Sequence, residues 1–225
     1  MAAEDTKRKL VEAAYKMLME EGFENVKARN VAKEAGYAAT AIYKHFGSLN
    51  FLTTLASFKL LDEYNQKSIE ISTTVTDCIQ MSKISWKYFL FYAFQNVPVF
   101  ENLFWGKAKA IFEEVVLEYF QLYPEQIKDQ TATFFYLAYF NSSIEERDFM
   151  LFRRAANEGR LTLDDAAYIS RVNSLVTHAA LREHMEDYKD PAIAKRAAED
   201  CYKIIEKTID KCLIDQKVDG KGRSC

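Results

Sequence analysis

The stretch AKEAGYAATAIYKHF, residues 32–46, concentrates side chains suited to an anionic, hydrogen-bonding surface. At about 100° per residue on a helix, Ala39, Thr40, Tyr43 and Lys44 share one side, and Ala38, Ala41 and Ile42 share the other. The first side offers two hydroxyls and a cation; the second is small and apolar. That chemistry serves contact with phosphates and polar ring edges rather than bond-making. The histidines, His45, His178 and His184, form no nucleophile–base pattern. No Gly-rich phosphate loop and no metal motif occurs in the sequence. The cysteines at 78, 201, 212 and 225 include no CxxC pair, so free thiols in a reducing compartment are the simplest account. An enzyme is not expected, and neither a cofactor nor a bound metal is.

The elements around this stretch read as short helices behind a longer one. Residues 5–21 carry Leu10, Val11, Ala14, Met17 and Leu18 at helical spacing, with Asp5 or Thr6 placed to cap and Gly22 to stop the helix. A second helix fits 27–35, with Val31, Ala32 and Ala35 inward; Gly36 ends it, and a third fits 38–46. Ser48 can cap a fourth, LNFLTTLASFKLLDEYNQKS. Two short helices about a glycine, supported by a third, make either a helix-turn-helix or an αα-corner within a larger bundle. In a helix-turn-helix the second short helix lies in the major groove of DNA.

Composition agrees with an all-α chain. Of 225 residues, 49% are hydrophobic and 28% charged, as in folded domains, and only 7 are Gly and 3 Pro. Folds rich in β-turns need more of both. The net charge of −3 is unevenly spread: residues 1–60 hold nine Lys or Arg against seven Asp or Glu, so the acidic excess lies in the remainder. A mildly basic head on an acidic body suits contact with DNA through the head. No run approaches the roughly 20 apolar residues of a membrane span, and MAAEDTKRKLVEAAYKMLMEE has no signal-peptide core. A cytoplasmic location, with no membrane partner, is expected.

Residues 7–60 resemble the DNA-binding domain of TetR-family bacterial transcriptional regulators. The resemblance rests on GF after helix one, V-A-x-x-A-G in helix two and I-Y-x-H-F in helix three, within LVEAAYKMLMEEGFENVKARNVAKEAGYAATAIYKHFGSLNFLTTL. It implies that Lys27 and Arg29 lie near phosphates. It further implies that Ala39 and Thr40 face bases, that Tyr43, Lys44 and His45 touch backbone or base edges, and that Ile42 and Phe46 are core. For His45, packing is an equal alternative. The chain departs from the family pattern at Lys27, Ala38, Thr40 and Leu49. A lost cap costs roughly 1 kcal/mol, so these changes bear on the strength of DNA recognition rather than on the fold.

Beyond residue 75 the chain reads as long helices. IQMSKISWKYFLFYAF is apolar on nearly all sides. NLFWGKAKAIFEEVVLEYFQLY, EQIKDQTATFFYLAYFNSS, IEERDFMLFRRAANEG, residues 162–188, and a helix from Pro191 to about residue 215 follow. Most of the abundant aromatics must be core; some are expected to line a cavity. Trp86, Phe89, Tyr92, Trp105, Phe112, Tyr136, Tyr139 and Phe140 are the candidates, suiting an apolar or aromatic effector. Lys83, Lys87, Lys107, Lys109, Arg153 and Arg154 read as surface charges or as partners for an anionic group, the former preferred. By resemblance the last two helices form a homodimer interface, through Val172, Leu175, Val176 and Ala179 on one and Ile205 and Ile209, with Ile204 beside them, on the other.

The expected organisation is an N-terminal three-helix helix-turn-helix domain at 1–47, a larger helical ligand-binding and dimerisation domain at 48–217, and a flexible tail at 218–225. The expected function is a ligand-responsive transcriptional regulator, a repressor released from a pseudo-palindromic double-stranded DNA operator by a small apolar effector. The alternative is a TetR-like helical protein with weakened DNA binding that acts as a small-molecule or protein-binding module.

Overall fold

The structure, a computed structural model, describes residues 2–126 and 143–214. Among these, all regular structure is helical. The helices are α1 (Ala2–Glu21), α2 (Ala28–Glu34), α3 (Thr40–Phe46), α4 (Leu49–Leu60), α5 (Asp62–Thr74), α6 (Cys78–Gln95), α7 (Val97–Phe104), α8 (Phe112–Leu122), α9 (Ile144–Asn157), α10 (Leu163–Glu183) and α11 (Pro191–Cys212). No described helix is long and apolar enough to cross a membrane.

Local signals set most boundaries. Ser48 Oγ accepts from the Phe51 N–H at 3.1 Å and starts α4. Ser143 with Glu146 and Thr162 with Asp165 form reciprocal capping boxes on α9 and α10. Asp190 caps α11, and Pro191 follows at its first turn, where a missing N–H is harmless.

Some boundaries differ from the sequence reading. The helix begins at Ala2, ahead of Asp5 and Thr6, so neither caps it; the Thr6 hydroxyl donates instead to the Tyr37 hydroxyl at 3.3 Å. The single long helix expected after Ser48 is divided at Leu61. The one expected over 102–123 is broken by Trp105 and a 3-10 turn at Lys107–Ile111. Gly106 is required at that break: a Cβ there would stand 2.8 Å from the Asn102 Cα. The helix α6 is not buried all round, since Phe91 is 55% exposed.

The chain divides into two compact units, residues 1–69 with 96–140, and 70–95 with 141–225. In the first, α1 packs on α2, α4 and α8, and α3 packs on α4. Its core joins Leu10, Val11 and Ala14 to Val31, Ile42, Leu52, Leu55 and Phe58, all fully buried or nearly so. Phe58 meets Tyr119 edge-on at 4.9 Å. In the second, α6, α9, α10 and α11 pack as a bundle. Its interior combines Leu90, Phe94, Phe152, Ile169, Ile205 and Ile209 with a polar stripe on α10: Ser170, Asn173, Ser174 and Thr177.

Candidate nucleic-acid interface

The turn between α2 and α3 is built by two nested backbone bonds. The Tyr37 N–H donates to the Ala32 carbonyl at 2.8 Å, and the Gly36 N–H donates to Lys33 at 3.1 Å. This Schellman stop needs a left-handed residue. Gly36 supplies it at φ 78°. A Cβ there would meet nothing within 4 Å, so the requirement is conformational rather than spatial.

The third helix then starts without a side-chain cap. Ala39 precedes it and has no oxygen to offer; the Ala38 and Ala39 carbonyls accept from Ala41 and Ile42 at 2.9 and 3.2 Å. Ile42 and Phe46 point into the core, and Gly47 closes the helix at φ 70°. The opposite side is open. Thr40, Tyr43 and Lys44 are exposed, and Ala39 and His45 are half-buried. Lys27 immediately precedes α2, also without a side-chain cap, and both it and Arg29 are exposed.

The cations of this segment divide into two groups. Lys7 pairs with Glu118 at 2.5 Å, Arg8 with Glu125 at 3.2 Å, Lys9 with Asp5 at 2.8 Å, Lys16 with Glu34 at 2.6 Å and Lys59 with Glu12 at 2.5 Å. Hydrogen bonding to Asp5 and Glu34 holds the Lys9 and Lys16 ammonium groups above their ordinary pKa. Lys27, Arg29, Lys33 and Lys44 form no ion pair with any described residue. All four lie on or beside the helix-turn-helix. Lys33 escaped the sequence reading, because nothing local separates it from the paired cations around it.

Behind this surface a polar network ties α1 to α4 and α8. The Tyr123 hydroxyl donates to Glu12 Oε1 at 3.0 Å, beside the Lys59 ammonium, which stands 4.9 Å over the Tyr123 ring. Burial, with Glu12 second, pushes the Tyr123 phenol pKa upward. The Tyr119 hydroxyl donates to Asp62. Burial raises that carboxyl's pKa against the hydrogen bond, which lowers it.

The remaining expected site residues are dispersed. Trp86 and Phe89 are buried in the second unit, their rings edge-on at 5.6 Å, and Tyr92 is half-buried there. Phe112 is buried and Trp105 half-buried in the first unit. Tyr136, Tyr139 and Phe140 lie outside the described residues. Val172 and Val176 are half-buried, while Leu175 and Ala179 are exposed. Ile205 and Ile209 do not reach the surface: both are 0% exposed within the second unit, and Ile204 is the outward neighbour at 50%. A helical stripe is visible in sequence, but which stripe meets the chain's own helices is not. Lys83 and Arg154 pair with Asp210 and Glu158, in keeping with surface charges.

Residues 10–49 match the family model for bacterial regulatory proteins of the tetR family. An HTH-type transcriptional regulator of Staphylococcus aureus (strain USA300) is 24% identical over 134 residues, covering 59% of this chain and 72% of that protein. RolR in complex with resorcinol superposes with a TM-score of 0.56 at 13% identity, covering 95% of this chain and 97% of RolR. FadR of Thermus thermophilus, a TetR-family transcriptional repressor in complex with lauroyl-CoA, superposes with a TM-score of 0.54 at 10% identity, covering 96% of this chain and 100% of FadR. These two likenesses establish the fold. Residues 10–49 therefore carry the DNA-binding domain of the tetR family of bacterial regulatory proteins, and the relative matched over the longer stretch is an HTH-type transcriptional regulator.

Proposed function

We propose that residues 1–47 read a pseudo-palindromic operator as the head of a homodimeric repressor, and that residues 48–217 bind a small apolar or aromatic effector and dimerise. One observation carries the DNA half of this reading. Of the cations in residues 1–60, those without a carboxylate partner among the described residues, Lys27, Arg29, Lys33 and Lys44, are exposed on or beside the two short helices that also expose Thr40 and Tyr43. Unpaired cations beside polar donors suit phosphate contact with base readout between. In this reading Lys27 and Arg29 position the head, Ala39 and Thr40 approach bases, and Tyr43, Lys44 and His45 contact backbone or base edges.

Two copies would present their heads about 34–36 Å apart, the repeat of successive major grooves. The outward stripe of Val172, Leu175, Val176 and Ala179, with Ile204 on α11, supplies an apolar surface for the second copy. RolR and FadR are bound to resorcinol and to lauroyl-CoA. An apolar or aromatic effector for this chain rests on that analogy and on its wealth of aromatic residues. Such an effector shifts DNA affinity only by the difference between its affinities for the two states.

The uncapped starts of α2 and α3 favour a second reading, in which DNA recognition is weakened and the body carries the function. Binding of the purified chain to fragments of its own genome, across a salt series with competitor DNA, separates the two. Tight binding to few fragments, falling steeply with salt, supports the regulator. Weak binding that ignores sequence and vanishes at physiological salt supports the second reading.

A further inference from the structure

Among the described residues, the interior of the second unit holds a carboxylate without a cation. Asp148 on α9 is buried, 6% exposed. The Ser82 hydroxyl donates to its Oδ1 at 2.9 Å, and the Asn173 side-chain amide donates to its Oδ2 at 2.9 Å. The Trp86 indole N–H is a third donor that favours the ionised form. All three groups are neutral, and no cation contributes to holding the charge. A buried carboxylate normally has a charged partner, because the hydration it loses is not regained from neutral surroundings.

The cluster also has more acceptors than donors. Three donors leave one of the carboxylate's roughly four acceptor sites unused. Asn173 is fully buried, and its Oδ1 accepts no hydrogen bond. Ser82 and Trp86 have no further donor and Asn173 keeps one amide hydrogen, which cannot reach its own Oδ1, so a group that satisfies these oxygens brings N–H or O–H groups of its own. A water brings donors without charge; a protonated nitrogen brings both. The flank is aromatic: Trp86 and Phe89 stand edge-on at 5.6 Å. Such rings accept both flat ligands and cations.

We propose that Asp148 and Asn173 anchor the protonated nitrogen of an aromatic amine or amidine. The inference rests on the effector half of the reading above and narrows the effector to that class. Its contacts come from three helices: Ser82 and Trp86 on α6, Asp148 on α9 and Asn173 on α10. A bound cation therefore fixes these helices against one another. Entry is eased by the inner face of α10, where Ser170, Asn173, Ser174 and Thr177 replace the large apolar residues of an ordinary seam. Parting small polar residues exposes less apolar surface than parting leucines.

The test is calorimetric titration of the full chain at pH 8 with benzamidine, its neutral isostere benzamide, and benzoate. The expected result is a dissociation constant for benzamidine at least tenfold below that for benzamide, with no binding of benzoate. Asp148→Asn should bring benzamidine to the benzamide level while the chain still melts cooperatively. Should that variant not fold, the indole N–H resonances of the unaltered chain decide: benzamidine should move that of Trp86 and leave that of Trp105. Equal binding of the two isosteres, binding of neither, a preference that survives Asp148→Asn, or an unmoved Trp86 resonance each overturns the proposal. DNA binding by the same samples separates the two readings. Operator binding without an amidine preference sinks the anchor alone. An amidine preference in a chain that ignores DNA leaves the anchor standing and sinks the regulator.

Discussion

The Tyr37 N–H reaches back to the Ala32 carbonyl at 2.8 Å, and that bond sets where α3 begins relative to α2. It forms only because Gly36, between them, adopts a positive φ. The Tyr37 side chain returns to α1, where its hydroxyl accepts from Thr6 at 3.3 Å. The turn is thus held by backbone on one side and by the supporting helix on the other.

Replacing Gly36 tests this turn. A non-glycine residue in the left-handed region is strained by roughly 1–2 kcal/mol. Gly36→Ala should lower the melting temperature by a few degrees and weaken operator binding, whereas Gly36→Asn, which tolerates that region better, should retain most of both. Equal effects of the two substitutions would sink the conformational account, since a Cβ meets no steric obstacle here.

The double substitution Tyr43→Ala, Lys44→Ala should abolish operator binding and leave thermal stability within about 0.5 kcal/mol, because both side chains are exposed. Lys44→Ala alone should reduce the slope of log K against log salt by about 0.9, the share of one phosphate contact. Fluorescence anisotropy with labelled operator at several salt concentrations reads both. An unchanged slope removes Lys44 from the interface.

Substitutions on the two stripes of the last helices should have different consequences. Leu175→Arg places charge on an exposed position of α10 and should convert a dimer to monomers in sedimentation velocity without loss of helicity. Ile205→Ala hollows a fully buried position and should instead reduce stability by about 2–5 kcal/mol, read by urea unfolding. A dimer that tolerates Leu175→Arg moves the interface elsewhere.

The pH dependence of stability reports on Asp148. Burial pushes its carboxyl up from 3.8 to about 6. The folded state therefore holds a proton that the unfolded chain has released. The contribution is stabilising below about pH 4 and is lost as pH rises through 6. The difference corresponds to roughly 3 kcal/mol. Stability of Asp148→Asn relative to the unaltered chain should rise by that order between pH 4 and 7, measured by urea unfolding at each pH. A difference independent of pH would mean that the carboxyl has an ordinary environment.

The Glu12–Lys59–Tyr123 network should contribute modestly, since Glu12 and Lys59 are partly exposed. Tyr123→Phe removes the hydrogen bond to Glu12 but keeps the ring under Lys59. It should cost about 1 kcal/mol. Tyr123→Leu also removes the ring and should cost more; equal losses would show that the cation over the ring contributes nothing.

What the sequence determined by itself is local. The positive-φ stop at Gly36, the caps at Ser48 and Thr162, and the start of α11 at Pro191 depend on residues within about one helical turn. The 3.6-residue period separates Ile42 and Phe46 from Tyr43 and Lys44 in the same way. The helix-turn-helix was therefore legible, and so was the all-α class. Tertiary structure decided what depends on distant neighbours. Glu118 and Glu125, more than a hundred residues away, occupy Lys7 and Arg8, while Lys27, Arg29, Lys33 and Lys44 are unpaired among the described residues. Ile205 faces the chain's own bundle and Ile204 faces outward. Asp148 sits on an otherwise apolar stripe between Ile144 and Phe152, a sign that sequence could show. That it is buried on Ser82 and Asn173 followed only from the packing of three helices, because burial and pairing belong to the surfaces that meet rather than to either helix alone.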